Sequence, residues 1–466
     1  MMAMDRVTEQ LVEYTQGFDP GSLSAGIRSA AVDRVVDSLA CAIVGFTSEP
    51  GRIALEAARG FTSDRPASVF GAGFATTEEL AAFANTTMVR SWDWNDGMLA
   101  QGGGHPSDMI PAVLAAGEAQ HASGAEVIDT IVLAYELLGA LGNVAPTRAS
   151  GFDQGTFMGL SAALAIGRLR GLDEAQLANA ISLALVPHVP LRVTRTGNLS
   201  MWKGAATASA MHSALFAVRL AGLGMTGPEE PFEGVSGLWE KATGPWELIL
   251  PAQPGGQMVV EISHLKQLPA ETHSQALLGL VPKVREFAKA DEIESIRIET
   301  YYQAWHEIAL HPSKWDPTTR ETADHSLPYL LAVAMVDGTI TPASFMPERI
   351  ADPALRPLMQ KISVVEDEAF TAVFRPGGNS IAGQPRARMV VTRTGGEVFS
   401  EEVGYHKGHA SNPMTRADID DKFDAASEGI VDPDTRDRIR EVGWTIDAAD
   451  NVADVMRVVT DFRRDR

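Results

Sequence analysis

Two carboxylates and one imidazole lie within a short polar stretch of the chain. Asp93 and Asp96 belong to the segment Trp-Asp-Trp-Asn-Asp-Gly at 92–97, and His105 follows three consecutive glycines. An apolar helical pattern begins a few residues later, and the N-terminus of a helix favours an anion and disfavours a charged imidazolium. A neutral histidine in this position is suited to proton transfer or to carboxylate binding.

The same stretch has a second interpretation that involves no chemistry. Ser107 or Asp108 can cap the helix that follows, because a side-chain oxygen at the N-cap accepts a hydrogen bond from the first turn. In the same way, Thr322 or Asp324 is expected to cap a helix that begins near residue 325. On spacing alone, an ordinary loop with capping residues is favoured over a catalytic loop.

A second polar segment places three cations in a short loop ahead of a long alanine-rich helix. Arg192, Arg195 and Lys203 lie there, between two apolar helical patterns. Arginine pairs with carboxylates through two parallel hydrogen bonds and lysine adds a compact charge, so the loop is suited to a di- or tricarboxylate. Solvated surface cations are the alternative, and the sequence favours neither.

Three further segments carry polar and titratable residues beside apolar helices. One spans 148–154 and ends in Asp153 and Gln154. Another contains Lys266, which follows an apolar run at 257–262 that predicts a strand. The densest spans 318–329, at the start of a predicted helix, and carries Asp324, His325, Ser326 and Tyr329.

The common signatures of metal- and nucleotide-dependent enzymes are missing from the sequence. There is no GxGxxG after a strand, no Walker loop, no HExxH and no GxSxG. The 11 histidines are scattered without a metal-ligand pair, and the single cysteine, Cys41, lies in an apolar helical run. The sequence therefore predicts neither a metal nor a cofactor, and no internal disulfide.

Composition narrows the class of partner. The formal net charge of −21 argues against nucleic acid and against an anionic membrane surface, although a pocket can still be locally basic. We expect no apolar run long enough to span a bilayer and find no signal-peptide pattern at the N-terminus. With one cysteine, the expected location is the reducing cytoplasm.

Apolar residues recur at helical spacing through the first half of the chain. They predict helices at 27–45, 79–89, 110–120, 126–141, 160–169, 174–185 and 205–223. Several of these helices are apolar on more than one face, which indicates burial in a thick bundle or under a partner subunit. A homodimer is therefore expected.

The pattern changes after Pro251. Alternation predicts strands at 293–299 and 362–365, and a hairpin from 387–392 and 397–399 around a Thr-Gly-Gly turn. Further helices are predicted at 272–289, 325–336, 418–428 and 449–461. The expected fold is mostly α, with a helical domain over 1–267, a smaller α+β unit over 268–400 and a C-terminal helical segment over 401–466 that rejoins the first domain.

Taken in chain order, the polar segments resemble the motifs of the MmgE/PrpD family. The matches are Asp93-Trp94-Asn95-Asp96, Gly104-His105-Pro106-Ser107-Asp108, 192–197, Trp202-Lys203-Gly204, Thr226-Gly227-Pro228, Phe232-Glu233-Gly234 and 320–329. They occur in the family's order over nearly the whole chain. The resemblance implies a large helical domain with a smaller α+β lid domain, a homodimer, and metal-independent chemistry on small polycarboxylates.

The family includes 2-methylcitrate dehydratase, cis-aconitate decarboxylase and iminodisuccinate epimerase. Each reaction creates or quenches a carbanion beside a carboxylate, which requires a base, an acid and cations. The resemblance implies catalytic roles for Asp93, His105, Lys203, Lys266 and Tyr329. Substrate binding is expected of Asp96, Gln154, Arg192, Arg195 and Ser326.

The expected activity is that of a cofactor-independent hydro-lyase on a hydroxy di- or tricarboxylate. A decarboxylase or an epimerase on a related acid is the alternative among enzymes, and a catalytically degraded binder of small acids is the alternative outside them. Two positions depart from the family. Gly97 stands where many members have threonine, and Gln154 stands where many have histidine, although glutamine cannot shuttle a proton.

Overall fold

The computed structural model describes residues 4–251, 257–374 and 383–462. Most of these residues are helical, and a four-stranded sheet lies in the second half of the chain. This arrangement confirms the predicted fold class, a mostly α protein with a smaller α+β part.

The first half of the described chain contains nine α-helices. They are α1 (Arg6–Gly17), α2 (Ala25–Phe46), α3 (Glu49–Ala58), α4 (Glu78–Arg90), α5 (Ile110–Ala119), α6 (Gly124–Val144), α7 (Gly155–Leu169), α8 (Glu174–Leu185) and α9 (Trp202–Gly222). All seven helices predicted between 27 and 223 are present. The additional helices α1 and α3 are amphipathic, and each buries one face against the others.

Helix α6 is buried on nearly all of its faces. It is long and apolar enough to cross a membrane, contrary to the prediction that no apolar run reaches that length. Most of it lies inside the fold, however, as expected for the core helix of a bundle. Ser123 and Glu126 form a capping box at its first turn, which satisfies two backbone N–H groups that the helix itself leaves unpaired.

The second half of the described chain contains shorter elements. Its helices are α10 (Val259–Ile262), α11 (Gln275–Leu278), α12 (Val281–Phe287), α13 (Tyr302–Trp305), α14 (Arg320–Ala323), α15 (Leu327–Asp337), α16 (Pro347–Ile350), α17 (Arg356–Met359), α18 (Glu368–Phe374), α19 (Arg416–Ser427), α20 (Pro433–Trp444) and α21 (Val452–Val459). The predicted helices at 325–336, 418–428 and 449–461 correspond to α15, α19 and α21.

Two predictions in this half are wrong. The apolar run at 257–262 is the short helix α10, not a strand, because it packs between α2 and α6 and no strand pairs with it in the described chain. The predicted helix at 272–289 is divided into α11 and α12. Pro282 lies in the first turn of α12, where it cannot donate the hydrogen bond that would continue α11.

The predicted strands form one mixed sheet. Its strands are β3 (Ile293–Thr300), β4 (Ile362–Glu366), β5 (Ala387–Arg393) and β6 (Val398–Val403), and a separate two-residue pair is formed by β1 (Ala67–Ser68) and β2 (Ala75–Thr76). The order in the sheet is β4-β3-β5-β6, with β3 and β4 parallel and the other pairs antiparallel. The predicted hairpin at 387–399 is therefore confirmed as β5 and β6.

The C-terminal helices lie against the first half of the chain. Helices α19 and α20 pack against α2, and α21 packs against α5. Lys422 of α19 donates to Asp37 of α2, an ion pair that is buried on both sides. The domain boundaries at 267 and 400 stay a prediction.

Candidate active site

Asp93 is the centre of a buried group of charged side chains. It follows the last turn of α4 and adopts φ +51, a left-handed conformation that aspartate and asparagine tolerate better than most residues. Its carboxylate accepts hydrogen bonds from the Arg90 guanidinium and, at 2.8 Å, from Lys266 Nζ, while Lys203 Nζ lies 3.4 Å away. Burial alone raises the pKa of Asp93, but Arg90, Lys266 and Lys203 outweigh it and hold that pKa well below its usual value.

Asp324 and His325 complete what we call the ionic cluster, which comprises Arg90, Asp93, His105, Lys203, Lys266, Asp324 and His325. Both carboxylate oxygens of Asp324 accept from Lys203 Nζ, at 2.9 and 2.8 Å. His325 Nδ1 lies 2.6 Å from Asp324 Oδ1, and a carboxylate can only accept, so Nδ1 carries the proton. The basic Nε2 atom then points towards Asp93, 3.5 Å from Oδ2. Burial and the neighbouring Lys203 lower the pKa of His325.

His105 is held as a neutral imidazole on the other side of Asp93. Its Nδ1 lies 2.6 Å from the backbone carbonyl of Asp96 and therefore donates. Its Nε2 accepts from the Arg90 guanidinium at 2.9 Å. Burial and the cations Arg90 and Lys266 hold the pKa of His105 well below its usual value. Burial and the neighbouring cations therefore favour the predicted neutral form.

The predicted capping role of Ser107 and Asp108 is wrong. The chain enters α5 through a 3-10 turn at Pro106–Met109 that has no side-chain cap. Asn95 Nδ2 instead donates to Ser107 Oγ and to Asp108 Oδ1, at 2.8 Å each. These bonds tie the Asp93 loop to the His105 loop.

Asp96 also positions this pair of loops. Its carboxylate accepts from Ser107 N and from the Tyr135 hydroxyl, both at 2.9 Å. Its backbone carbonyl accepts from His105. With its oxygens engaged in this way, Asp96 orients His105.

The three predicted cations of the 192–203 loop have different partners. Lys203 enters the ionic cluster, whereas Arg195 Nε donates to Asp153 at 2.8 Å and Arg192 Nη2 donates to Glu307 at 2.9 Å. Arg195 also donates to the backbone carbonyl of Lys203 at 3.0 Å, so it positions that lysine. Neither arginine is a solvated surface cation.

The structure does not bring Tyr329 and Ser326 to the ionic cluster through their side chains. The Tyr329 hydroxyl donates to the backbone carbonyl of Ser344. The Ser326 hydroxyl donates to the carbonyl of Lys314 and accepts from Tyr329 N at 3.2 Å, so Ser326 is the N-cap of α15. The predicted cap Asp324 is wrong because its carboxylate is engaged by Lys203, and Thr322 lies inside α14.

Sequence reasoning omitted Arg90, Asp324 and His325 from the candidate site. Arg90 is three residues before Asp93, a spacing at which oppositely charged side chains pair at the end of a helix. Asp324 and His325 are adjacent acid and imidazole residues in the densest polar segment. Both patterns can be seen in the sequence. Neither of them indicates which distant residues contact Arg90, Asp324 or His325.

Gly97 is explained by its contact with His264. The two residues exchange backbone hydrogen bonds of 2.8 and 2.9 Å, and a Cβ atom on Gly97 would lie 2.5 Å from His264 Nε2. A threonine at this position would therefore collide with the imidazole. Glycine in place of threonine therefore leaves room for the side chain of His264, which is two residues before Lys266.

Asp93, Asp324 and His325 could together hold a metal ion, since one ligand atom from each lies within 4.8 Å of the others. The same two carboxylates already accept hydrogen bonds from Lys203 and Lys266. A metal cation would have to displace these ammonium groups or bind beside them against their repulsion. The site is better suited to an anion, which would accept hydrogen bonds from Lys203 and Lys266 in place of Asp324 and Asp93.

His264, His406 and His409 form a second buried group behind Lys266. The rings of His264 and His406 are 5.3 Å apart, and those of His406 and His409 are 5.8 Å apart. Burial and the neighbouring His409 lower the pKa of His406 to about 3, and burial lowers the pKa of His409 to about 4. All three are therefore neutral in the folded protein at neutral pH.

This histidine group predicts a loss of stability in mild acid. The unfolded chain takes up protons near pH 6.5, whereas the folded chain resists them, so stability is fully present above about pH 6.5 and falls as the pH is lowered. Between pH 7.5 and 5, His406 should account for about 2 kcal/mol of the decrease in unfolding free energy. Urea unfolding of wild type and His406→Phe across this range measures the difference. His311→Phe, at an exposed histidine, is the matched control, and equal pH slopes for wild type and His406→Phe would contradict the prediction.

Comparison with known proteins supports the resemblance seen in the motifs. Residues 9–248 match the MmgE/PrpD N-terminal domain, and residues 268–448 match the MmgE/PrpD C-terminal domain. The chain belongs to the MmgE/PrpD family. The two matches together include every residue of the ionic cluster except Lys266, which lies between them.

Relatives within this family have been described as citrate-type dehydratases. The chain is 30% identical to the 2-methylcitrate dehydratase of Salmonella typhi over 372 residues, which is 74% of each chain. It is 28% identical to the 2-methylcitrate dehydratase of Cupriavidus necator over 445 residues, 87% of this chain and 86% of the relative. A fungal alkylcitrate dehydratase is 27% identical over 421 residues, 84% of this chain and 81% of the relative. The relatives are thus hydro-lyases of small citrate-like acids.

Proposed function

We propose that this MmgE/PrpD member is a hydro-lyase that removes water from a hydroxylated tri- or dicarboxylate. The observation that carries the proposal is the ionic cluster, in which two neutral histidines face one buried carboxylate surrounded by Arg90, Lys203 and Lys266. Dehydration takes a proton from the carbon beside a carboxylate and expels hydroxide from the next carbon. It therefore needs a neutral base, a proton donor and cations that stabilise the developing charge.

We assign removal of the substrate proton to the Nε2 atom of a histidine. His105 and His325 both have Nδ1 protonated and Nε2 basic, and their side chains are 13% and 15% exposed, more than those of Asp93 and Lys203. In the structure Arg90 donates to His105 Nε2. A substrate carboxylate competes for the same guanidinium, and pairing with it leaves Nε2 free to accept the proton.

We assign Lys203 to protonation of the leaving group and Lys266 to binding of a substrate carboxylate. Lys203 Nζ lies between Asp93 and Asp324 and next to His325, where an ammonium can protonate the departing hydroxide to water. Lys266 and Arg90 then hold the carboxylate on which negative charge develops. Arg195 acts on this group only through the backbone of Lys203.

The test is turnover of 2-methylcitrate, citrate and shorter hydroxy acids by the purified protein. Ultraviolet absorbance reports a new conjugated double bond, released carbon dioxide reports decarboxylation, and change of optical rotation without either reports epimerisation. New double bonds without carbon dioxide support the proposal. Binding of these acids without any turnover would instead support the non-catalytic alternative.

Decarboxylation is a second candidate function, and the presence of glutamine at position 154 favours it. The Gln154 side chain is buried next to the His105 loop, where many family members carry a histidine. An amide cannot accept and return a proton. Loss of carbon dioxide leaves a carbanion that needs only one delivered proton, so a site with one proton-transfer group fewer is compatible with it.

Removal of metal ions should leave the activity unchanged. The carboxylates of Asp93 and Asp324 are already engaged by Lys203 and Lys266, so the proposed reaction uses ammonium groups where another enzyme would use a metal. Turnover is measured before and after dialysis against a chelator, with the chelator itself tested as an inhibitor. Loss of activity that one divalent ion restores would contradict the prediction. Asp93, Asp324 and His325 would then be the first residues to test as metal ligands.

We also propose that the protein is a cytoplasmic homodimer. Apolar side chains are exposed along the loop that precedes Lys203, including Leu191, Val193 and Trp202, of which Val193 is 72% exposed. An apolar patch of this kind is typical of an interface. Sedimentation at micromolar concentration should show a species of twice the chain mass of 49.8 kDa. A single species at the chain mass would contradict the dimer.

A further inference from the structure

The guanidinium of Arg148 has no ion-pair partner among the residues that the structure describes. It lies in the loop between α6 and α7, and its Nε atom is buried without a hydrogen bond. The two carboxylates in its electrostatic surroundings are already used, since Asp153 pairs with Arg195 and Glu307 pairs with Arg192. Within the described part of the chain, three guanidinium groups therefore share two carboxylates, and one positive charge remains.

Gln154, in the same loop, is a second unpartnered polar group. Its side chain is 4% exposed, and its Nε2 atom is buried without a hydrogen bond. Its side chain packs against Gly104, where a Cβ atom would lie 3.0 Å from Gln154 Cδ. Because Gly104 directly precedes His105, the Gln154 side chain contacts the loop that carries this member of the ionic cluster.

The Arg148 loop is linked to the ionic cluster on two sides. Asp153 holds Arg195, which donates to the backbone of Lys203. His273 is electrostatically affected by both groups of charges. Its pKa is lowered to about 4 by burial and is affected by Glu307 and Arg148 as well as by Lys266 and Asp93. Arg148 and members of the ionic cluster therefore act on the same buried imidazole.

Unpaired polar groups are rare inside proteins because each loses hydrogen bonds to water on folding. Burial and the repulsion of Arg192 and Arg195 lower the pKa of Arg148 to about 10, so the charged form is disfavoured where it lies. Positions that break a folding rule in this way are expected at binding sites, where a ligand supplies the missing partner.

We propose that Arg148 and Gln154 bind a second, distal carboxylate of the substrate and thereby select tricarboxylates over dicarboxylates. The inference rests on the proposed function, in which the first carboxylate is held by Lys266 and Arg90. Arg148 supplies a planar pair of donors to the carboxylate, and Gln154 Nε2 supplies a further donor. A dicarboxylate that fills only the ionic cluster leaves both groups unpaired.

The test compares two unreactive probes that differ by one terminal carboxymethyl group, tricarballylate and succinate, by titration calorimetry. Wild type should bind tricarballylate more tightly. Arg148→Gln should weaken tricarballylate binding about 10- to 100-fold and leave succinate binding unchanged. Gln154→Leu, which keeps the volume but removes the donor, should weaken tricarballylate binding by about 3- to 10-fold. Arg457→Gln, the same charge change at an exposed position, is the matched control.

Thermal unfolding separates binding from a structural role. Because the Arg148 side chain makes no hydrogen bond with the described residues, Arg148→Gln should melt at the same temperature as wild type or higher. A clearly lower melting temperature would assign Arg148 to the fold and overturn the inference. Equal weakening of both probes, no change in either, or failure of wild type to bind tricarballylate would also overturn it.

Turnover separates this inference from the proposed function. Arg148→Gln should raise KM for a hydroxy tricarboxylate and leave kcat within a few-fold of wild type, because the reacting carbon is held by the ionic cluster. The inference alone would be overturned by two results together. Wild type would dehydrate the substrate, and Arg148→Gln would still prefer tricarballylate to succinate as strongly as wild type does. Wild type that produces no double bond from any hydroxy acid would overturn the proposed function, whatever the probes show.

Discussion

Replacement of His105 by glutamine should lower turnover by about 10²- to 10⁴-fold, the contribution of a positioned general base. Glutamine can still donate to the backbone carbonyl of Asp96 and accept from Arg90, so the hydrogen bonds around the ring can be kept. What it cannot do is take up a proton from carbon. Steady-state kinetics with the best hydroxy acid measures the effect on kcat, and circular dichroism confirms that the variant is folded.

His325→Gln is the companion variant, because His325 is the other neutral imidazole at Asp93. If His105 is the base, His325→Gln should lower turnover less. A further readout is the acid limb of the pH profile, which should disappear in the variant that lacks the base. Near-normal turnover of His105→Gln would contradict the assignment and pass the proton-transfer role to His325 or to Asp93.

Replacement of Asp93 by asparagine should abolish turnover and destabilise the fold by about 3–5 kcal/mol, the usual effect of removing one member of a buried ion pair. Arg90 and Lys266 would then face a neutral amide in place of their shared carboxylate, while Lys203 would keep its ion pair with Asp324. Asparagine is chosen because it tolerates the left-handed φ of +51 at this position. Urea unfolding at neutral pH measures the change in the free energy of unfolding.

Two measurements make the Asp93 prediction specific. Asp454→Asn, at an exposed ion pair on the C-terminal helix, removes the same charge and should alter stability by less than about 1 kcal/mol. Tricarballylate should raise the melting temperature of Asp93→Asn more than that of wild type, because the anion supplies the missing negative charge. A variant as stable as wild type would show that the three cations do not depend on Asp93.

The helices illustrate what local sequence determines. The predicted helix at 174–185 matches α8 over the same residues, and the predicted helix at 79–89 matches α4 within one residue at each end. Apolar periodicity, caps and turn residues act over a few positions, so they are legible in the sequence alone. The strand predicted at 257–262 failed because an apolar run of that length suits a buried helix as well as a strand, and only the neighbours α2 and α6 decide between them.

The candidate site shows a similar division. The polar segments containing Asp93, His105, Lys203 and Lys266 can be found from residue type and spacing, and the structure brings all four together. Tyr329 belongs to the densest polar segment, yet its hydroxyl donates to the backbone carbonyl of Ser344. Residue type alone cannot distinguish a hydroxyl that faces a ligand from one that satisfies a backbone carbonyl.

By itself, the sequence determined most of the long helices, the hairpin, the family and the polar segments from which the site is built. Only the tertiary structure decided which charges meet there. Lys203 and Asp324 are 121 positions apart, and Lys266 and Asp93 are 173 apart, so no local pattern connects them. Their pairing follows from the packing of whole helices and loops, which also buries the histidines as neutral bases and leaves Arg148 without a carboxylate. Burial and pairing set the charge of these groups, and both are properties of the packed chain rather than of any segment within it.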